Sequence, residues 1–256
     1  MNVLCIGDVV GSGGVNFLKE NLSMLKKLNK IDVVIVNGEN SANGNGITPS
    51  AAEELLNMSA DVITTGNHAF RRREVYETFD TCEFLIRPAN YPKSAPGKGV
   101  CILDFGMTQL AVINLLGTVY MENMRCPFEI MDELLTDIST KNIIVDFHAE
   151  ATAEKRALAE YLDGRVSALF GTHTHVQTAD EQILKQGTGF ITDIGMTGPA
   201  DSVLGVKSSL AIEKMKTKMP VRFDFADGVH QLNGLLIEID SKTGKSTHLN
   251  RINLQK

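Results

Sequence analysis

The chain repeatedly places a polar side chain of a metal-binding type directly after a short apolar run. Each run has the length and the β-branched content of a buried strand, and helical patterns separate most of the runs. Because ligands of open α/β sheets bind outside the carboxyl ends of the strands, residues far apart in sequence are expected to converge there. The segments that end this way are residues 4–8, 34–40, 62–68, 143–148 and 168–175.

The spacing of apolar residues predicts an α/β fold in which strands and helices alternate through the first two thirds of the chain. After residue 180, alternating apolar and polar residues predict antiparallel strands at 221–226, 235–239 and 248–252. The length of 256 residues, with 43% hydrophobic content, predicts one domain over residues 1–256. Further strands are expected at 3–6, 33–36, 62–64, 100–105, 110–116, 143–147 and 166–170, and helices at 15–25, 49–56, 72–79, 128–138 and 152–162.

The formal net charge of −6 excludes the basic surface that a non-specific nucleic-acid binder uses to neutralise phosphates. We therefore expect no stable binding to nucleic acid. A phosphate-bearing substrate would need a local source of positive charge, which bound metal ions could supply.

The sequence also predicts the cellular compartment of the protein. Cys5, Cys82, Cys101 and Cys126 form no CxxC pair and are expected to be free thiols in a reducing compartment. The N-terminus enters a strand without a basic region or a cleavage site, and no apolar stretch approaches the ~20 residues of a membrane span. We expect a cytoplasmic protein with no membrane partner, and a homo-oligomer is one assembly that stays open.

The polar residues at the strand ends form a chemically consistent set of metal ligands. Carboxylates, an amide oxygen and imidazoles suit iron, manganese or zinc, and the absence of thiolates argues against an iron–sulfur cluster or a cysteine zinc site. Two carboxylates cannot neutralise two divalent ions, so the remaining positive charge would attract a phosphate ester. The candidates are Asp8, Glu39, Asn67, His148, His173 and His175.

Two details of this set bear on geometry. His173 and His175 are two positions apart, so in an extended segment both imidazoles point to the same side. Glu39 has two carboxylate oxygens and can bridge two ions. Residues 71–73 are three consecutive arginines, for which a solvated helix start is favoured and a grip on substrate phosphate is the alternative.

A dinucleotide site is the main alternative to a metal site. Gly7 and the glycines of residues 11–14 lie between the first strand and the first helix, and Glu39 stands where a ribose-binding acid would. The GxGxxG pattern is not completed from Gly11, because position 16 is Asn16. This alternative also leaves the histidines unexplained.

Taken together, these motifs resemble the calcineurin-like metallophosphoesterases. The resemblance rests on five motifs at the strand ends: Gly7-Asp8, Gly38-Glu39-Asn40, Gly66-Asn67-His68, His148 and residues 171–175. The longer stretches at residues 87–92, 146–152, 171–180 and 191–199 are similar to the YmdB-like branch of bacterial phosphodiesterases.

The resemblance implies a four-layer α/β/β/α sandwich that binds two metal ions and hydrolyses small phosphodiesters such as 2′,3′-cyclic nucleotides. Iron or manganese is the expected metal, with zinc or magnesium as alternatives. One ion would be surrounded by Asp8, Glu39, Asn40 and His175. Glu39 would bridge to the second ion, held by Asn67, His148 and His173, with His68 beside the site as general acid or as a stabiliser of the transition state.

The chain departs from this branch near the expected substrate mouth. Ala69-Phe70-Arg71 stands where Thr-Trp-Asp is usual, and Thr118 stands where an arginine is common. The resulting hypothesis is hydrolysis of a phosphodiester by a hydroxide that bridges the two ions, with His68 acting on the leaving oxygen. A regulatory or scaffold protein with a structural metal site is the second hypothesis.

Overall fold

The structure, a computed structural model, describes residues 1–256 and contains thirteen strands and six α-helices. The strands are β1 (Asn2–Ile6), β2 (Asp8–Val9), β3 (Val33–Asn37), β4 (Val62–Thr64), β5 (Val100–Asp104), β6 (Gln109–Leu116), β7 (Ile143–His148), β8 (Ala168–Thr172), β9 (Gln182–Ile183), β10 (Gly189–Ile191), β11 (Met196–Pro199), β12 (His230–Asp240) and β13 (Lys245–Gln255). The helices are α1 (Gly11–Asn29), α2 (Pro49–Asn57), α3 (Tyr76–Thr81), α4 (Pro127–Asp137), α5 (Thr152–Leu162) and α6 (Ser208–Thr217), and a 3₁₀ turn at Arg73–Val75 precedes α3.

The strands form two mixed sheets. Sheet A has the order β2-β11-β12-β1-β3-β4, with β13 paired to β12, and sheet B has the order β5-β6-β7-β8-β10-β9. In sheet A, β1, β3 and β4 are parallel, and in sheet B, β6, β7, β8 and β10 are parallel. Because these strands run in the same direction, their carboxyl ends lie at one edge of each sheet, and helices form most of the connections between them.

Three apolar interfaces separate four layers. Successive residues of a strand enter different interfaces, as the two-residue period requires. Leu4 packs towards α1 and α2, whereas Cys5 faces sheet B. In sheet B, Val145 packs towards α4 and α5, whereas Ile144 faces sheet A. Covering both faces of both sheets explains why the strands are continuous apolar runs, and it confirms the predicted four-layer α/β/β/α sandwich.

The prediction of a strand at 221–226 is wrong. Only Phe225 in this segment forms an isolated bridge, to Val206, and its neighbours are irregular. The Phe225 ring lies 2.6 Å from the position that a Cβ at Gly11 would take, so it packs on the start of α1. Of the alternating apolar residues, Phe225 contacts this helix and Phe223 is exposed, so the alternation does not mark a strand of either sheet.

Several elements carry no clear pattern in the sequence. Helix α6 buries only Ala211, so it lacks the apolar stripe that identifies an amphipathic helix. Strands β9, β10 and β11 span two to four residues, which is too short for a period to be recognised. The strand expected at 166–170 instead occupies Ala168–Thr172 and extends to the residue before His173.

Three further expectations concern the whole chain. No helix in the structure combines the length and the apolar character that crossing a membrane requires. All four cysteines are free thiols, as the sequence predicts. The assignment of residues 1–256 to one domain stays a prediction.

Candidate metal centre

The carboxyl ends of the two sheets meet across the interface between them. Asn37 ends β3 in sheet A, and its Nδ2 donates to Asp146 Oδ2 at 3.2 Å and to Thr172 Oγ1 at 3.3 Å. Asp146 lies in β7 and Thr172 ends β8, so these hydrogen bonds join the two sheets. At this edge a buried polar layer replaces the apolar packing, and the predicted ligands lie beside it.

Asp8, Asn40 and His175 form one set of donors, which we call the Asp8 group. Asp8 lies in β2 and is fully buried, with Oδ1 3.5 Å from His175 Nε2. Asn40 Nδ2 lies 3.4 Å from the same imidazole nitrogen. His175 Nδ1 donates to the carbonyl oxygen of Leu204 at 3.1 Å, which directs Nε2 at the carboxylate.

Asn67, His148 and His173 form a second set of donors, which we call the His148 group. His148 Nε2 lies 3.0 Å from Asn67 Oδ1 and 3.1 Å from His173 Nδ1. A Cβ at Gly66 would lie 2.2 Å from His148 Cδ2, so only glycine fits at position 66 without displacing the ring.

Glu39 lies between the two groups and contacts both. Its Oε1 is 3.1 Å from His148 Nε2 and 3.3 Å from Asn40 Nδ2. Its Oε2 accepts the backbone N–H of His68 at 3.0 Å, which fixes the carboxylate. Glu39, His148 and His173 offer ligand atoms that all lie within 4.8 Å of one another. Glu39 is therefore the residue through which the two groups are in contact.

Hydrogen bonds behind His148 set its tautomer. The Thr172 hydroxyl donates to Asp146 Oδ1 at 2.7 Å, and the same hydroxyl oxygen lies 2.9 Å from His148 Nδ1. A hydroxyl that donates to the carboxylate accepts from the imidazole, so the network assigns the proton of neutral His148 to Nδ1. The lone pair on Nε2 then faces Glu39 and Asn67, as a metal ligand must.

The donor atoms fit divalent cations. Asp8 Oδ1 is buried and has no hydrogen-bond partner, which is costly unless a cation satisfies it. Glu39 Oε1, Asn67 Oδ1 and His148 Nε2 are three acceptors, and the nitrogen lies 3.1 and 3.0 Å from the two oxygens. Ligands bound at ~2.1 Å stand roughly 3 Å apart in a compact coordination shell. The residues present therefore match a metal site in chemistry and in spacing.

The electrostatics keep Asp8 and Glu39 ionised, whereas burial raises the pKa of Asp146, behind His148, to about 7. Burial alone would raise the pKa of Asp8 and of Glu39, but neighbouring histidines hold both pKa values below their usual range. Burial lowers the pKa of His148, but Glu39 outweighs it and raises that pKa to about 9. Burial, together with the charge of His148, lowers the pKa of His173 to about 4. Thus a proton on His148 balances the carboxylates where a cation would otherwise do so.

The expectation that His173 and His175 lie in an extended segment is wrong. Strand β8 ends at Thr172, and the next turn gives His173 a φ of 97° and His175 a φ of 63°. Both values are in the left-handed region, which costs non-glycine residues about 1–3 kcal/mol each. As a result the imidazoles diverge, with His173 in the His148 group and His175 in the Asp8 group.

His68 lies at the outer side of the Asp8 group. Its Nδ1 is 3.0 Å from Asn40 Oδ1, and its Nε2 is 3.5 Å from Asn45 Nδ2. Burial lowers the pKa of His68, and the charges of His148 and Arg71 lower it further against the opposing effect of Glu39. The imidazole is therefore mostly neutral at pH 7.

The arginines of residues 71–73 have separate environments. Arg72 donates to the carbonyl oxygens of Asn43 at 2.6 Å and Asn45 at 3.1 Å, which ties the loop that carries His68 to the loop after β3. Arg71 is exposed, and its charge reaches His68 as described. The Phe70 ring packs edge-on against Tyr91, with ring centroids 5.2 Å apart. Only Arg71 of the three is both exposed and electrostatically linked to the site.

Sequence reasoning missed four residues near the site. Glu150 Oε2 lies 3.1 Å from His173 Nε2, and Asp146 anchors the network behind His148. Lys155 is fully buried and pairs with Asp193. Asp146 had a visible signal, since it is a carboxylate at an inward position of an apolar strand.

The glycines of the dinucleotide alternative serve packing within the protein. A Cβ at Gly14 would lie 2.3 Å from the Thr197 carbonyl oxygen, and one at Gly13 would lie 2.4 Å from the His230 imidazole. With Gly11 covered by Phe225, the start of α1 is occupied by the chain itself. This geometry argues against a pyrophosphate at that helix.

Comparison with known proteins identifies the relatives of this chain. A family model described as YmdB-like protein matches residues 4–252. The 2′,3′-cyclic-nucleotide 2′-phosphodiesterase of Bacillus subtilis is 46% identical over 254 residues, which cover 98% of this chain and 96% of that protein.

Two crystal structures are similar over the whole chain. A hypothetical protein from Thermus thermophilus has a TM-score of 0.95 and 36% identity, with 100% of both chains covered. A novel phosphatase from Mycoplasma pneumoniae has a TM-score of 0.94 and 35% identity, covering 100% of this chain and 93% of that chain. The resemblance seen in the sequence is thus confirmed, and the chain belongs to the YmdB-like protein family.

Proposed function

We propose that this protein is a metal-dependent phosphodiesterase that hydrolyses small phosphodiesters such as 2′,3′-cyclic nucleotides. The observation that carries the proposal is the position of Glu39, whose Oε1 contacts both the Asp8 group and the His148 group. The name of the B. subtilis relative supports the substrate class, at 46% identity over 98% of this chain.

The two donor groups and Glu39 would hold two metal ions. The Asp8 group with Glu39 would bind one ion, and the His148 group with Glu39 would bind the other. Oxygen and imidazole donors suit iron or manganese, with zinc or magnesium as alternatives. Such a pair of ions supplies an activated water at neutral pH and Lewis acidity towards phosphoryl oxygens.

The protein groups around the ions have separable tasks. Asp8 and Glu39 stay ionised, because the histidines lower the pKa values of both carboxyls. His68 Nδ1 donates to Asn40 Oδ1, and His68 Nε2 lies 3.5 Å from Asn45 Nδ2. Because Nε2 of the neutral imidazole then carries no proton, His68 would act on the leaving oxygen as the imidazolium, which the lowered pKa makes a minor form near pH 7.

Hydrolysis of bis(p-nitrophenyl) phosphate by the purified protein tests the reaction class. We expect turnover that is lost after chelation and restored by manganese or iron, followed by turnover of 2′,3′-cyclic nucleotides. No turnover with any metal, in protein whose metal content is verified, would favour the regulatory or scaffold hypothesis.

His68→Ala separates the role of His68 from metal binding. We expect roughly a 10²-fold lower kcat with unchanged metal content, because His68 would act on the substrate and not on the ions. Metal analysis and kinetics on the same preparation measure both quantities, and His248→Ala is the matched control at a histidine outside the site. Loss of metal from His68→Ala would contradict the assigned role.

The remaining expectations are part of the same proposal. We propose a cytoplasmic location, supported by four free thiols. The partner is a small phosphodiester rather than a long nucleic acid, supported by the net charge of −6.

A further inference from the structure

A buried ion pair lies beneath the loop that carries His173 and His175. Lys155 comes from α5, and its Nζ donates to Asp193 Oδ2 at 2.8 Å. Both side chains are 0–1% exposed. A buried pair of charges is a weak source of stability, because desolvation opposes the attraction, so its presence here calls for another explanation.

Lys155 holds the start of this loop. Its Nζ also donates to the carbonyl oxygen of Thr172, the residue before His173, at 2.9 Å. Its stem lies over Gly171, where an added Cβ would be 2.8 Å from Lys155 Cδ. The end of β8 is thereby fixed from the helix side.

Asp193 holds the middle of the loop and reaches beyond it. Its Oδ2 accepts the backbone N–H of Thr174, between the two histidines, at 3.2 Å. Its Oδ1 accepts the N–H of Gly195 at 2.9 Å, and the Gly195 carbonyl accepts the N–H of Asp8 at 3.2 Å. One carboxylate therefore connects the histidine loop to the strand that carries Asp8.

We propose that Lys155 and Asp193 are positioning residues that pre-form both donor groups before any metal binds. Neither residue contacts the substrate position, and each acts on ligands through the backbone. Hydrogen bonds to Thr172 and Thr174 hold the left-handed turn that sends His173 to the His148 group and His175 to the Asp8 group. The link through Gly195 aligns Asp8 with the same turn. The inference rests on the proposed metal-binding function.

The variants Lys155→Met and Asp193→Asn test this inference. Each removes one charge and keeps most of the side-chain volume, and the single amide oxygen introduced by Asp193→Asn cannot serve both the Thr174 side and the Gly195 side of the carboxylate. The double variant Lys155→Met/Asp193→Asn leaves no unpaired buried charge and serves if a single variant fails to fold. Asp163→Asn is the matched control, because buried Asp163 also accepts loop N–H groups, from Gln186 at 2.9 Å and Thr188 at 3.3 Å, at the other end of α5.

The first readout is the ¹⁵N spectrum of the histidine rings in metal-free protein, with folding verified by circular dichroism. We expect the His173 and His175 signals to shift or broaden in the Lys155 and Asp193 variants and to stay unchanged in Asp163→Asn. The second readout is the affinity of metal-free protein for Mn²⁺ by equilibrium dialysis. We expect it to fall roughly 10- to 100-fold in the same variants only.

The outcomes separate this inference from the proposed function. Folded variants with unchanged ring signals and wild-type Mn²⁺ affinity would overturn the positioning role while metal binding by the wild type stands. Equal weakening in Asp163→Asn would also overturn it, since the effect would then be general destabilisation. A wild-type protein that binds no Mn²⁺ would instead reject the proposed function.

Discussion

The ligands on strands and the ligands on the loop after β8 are held in different ways. Asp8 and His148 lie within β2 and β7, are fully buried, and take their positions from strand register. His173 and His175 lie beyond β8, have positive φ values, and keep 24% and 12% of their side chains exposed. Strand register is therefore the main determinant of where Asp8 and His148 lie, whereas His173 and His175 depend on contacts from distant parts of the chain.

Breaking the contact between the two donor groups should reduce activity more than any other change. Glu39→Gln removes the carboxylate that contacts both, and we expect kcat to fall about 10³-fold or more, with weaker metal binding. Kinetics and metal content on one preparation measure this. Glu53→Gln, an exposed acid on α2, is the control and should behave as wild type. Wild-type kcat in Glu39→Gln would rule out a shared centre.

Ligands held by strands and ligands held by the loop should differ in how much they contribute to the stability of the fold. In metal-free protein, His148→Ala leaves buried carboxylates without their partner. We therefore expect the free energy of unfolding to fall by about 3 kcal/mol. His173→Ala removes a partly exposed ring and should cost less than about 1 kcal/mol. Urea denaturation measures both, and equal losses would contradict the comparison.

Arg71 is an exposed cation on the turn after His68, and it lies outside both the strands and the loop that hold the four ligands compared above. We expect Arg71→Ala to raise KM roughly 5-fold with little change in kcat, because an exposed charge contributes up to about 1 kcal/mol to binding. Arg73→Ala, on the adjacent 3₁₀ turn, is the control. A fall in kcat with an unchanged KM would argue against a role in substrate binding.

The smallest change in stability should come from the backbone strain of the loop after β8. Glycine adopts a φ near 97° without strain, so metal-free His173→Gly should be about 0.5 kcal/mol more stable than His173→Ala. Urea denaturation of the two variants side by side measures the difference. A less stable glycine variant would mean that the left-handed turn imposes no strain.

The sequence predicted those parts of the site that depend on strands. The apolar runs before Asp8 and His148 fix where these side chains emerge, because the ends of parallel strands share an edge. The fold followed for the same reason, since helices at the expected positions cover both sheets. The spacing of His173 and His175 did not by itself predict their separation, because a local spacing cannot specify a left-handed turn; only the family resemblance assigned the two histidines to different ions.

The features that the sequence did not predict depend on tertiary contacts, which leave no local pattern in the sequence. Phe225 belongs to an alternating pattern, yet it packs on Gly11 instead of joining a sheet. Lys155 and Asp193 are 38 residues apart, and each is unremarkable in its own segment. Only the folded chain brings their charges together beneath the histidines.

The central place of β12 has a consequence for how the molecule is made. Strand β1 pairs with β12, which begins at His230, and β2, with Asp8, pairs with β11, which begins at Met196. During synthesis β1 can pair early with β3 on one side, but its other side stays unpaired until almost the whole chain has left the ribosome. Such non-local pairing slows folding. Because the pairing of β2 with β11 places Asp8, the proposed metal site would be complete only once β11 has left the ribosome, late in translation.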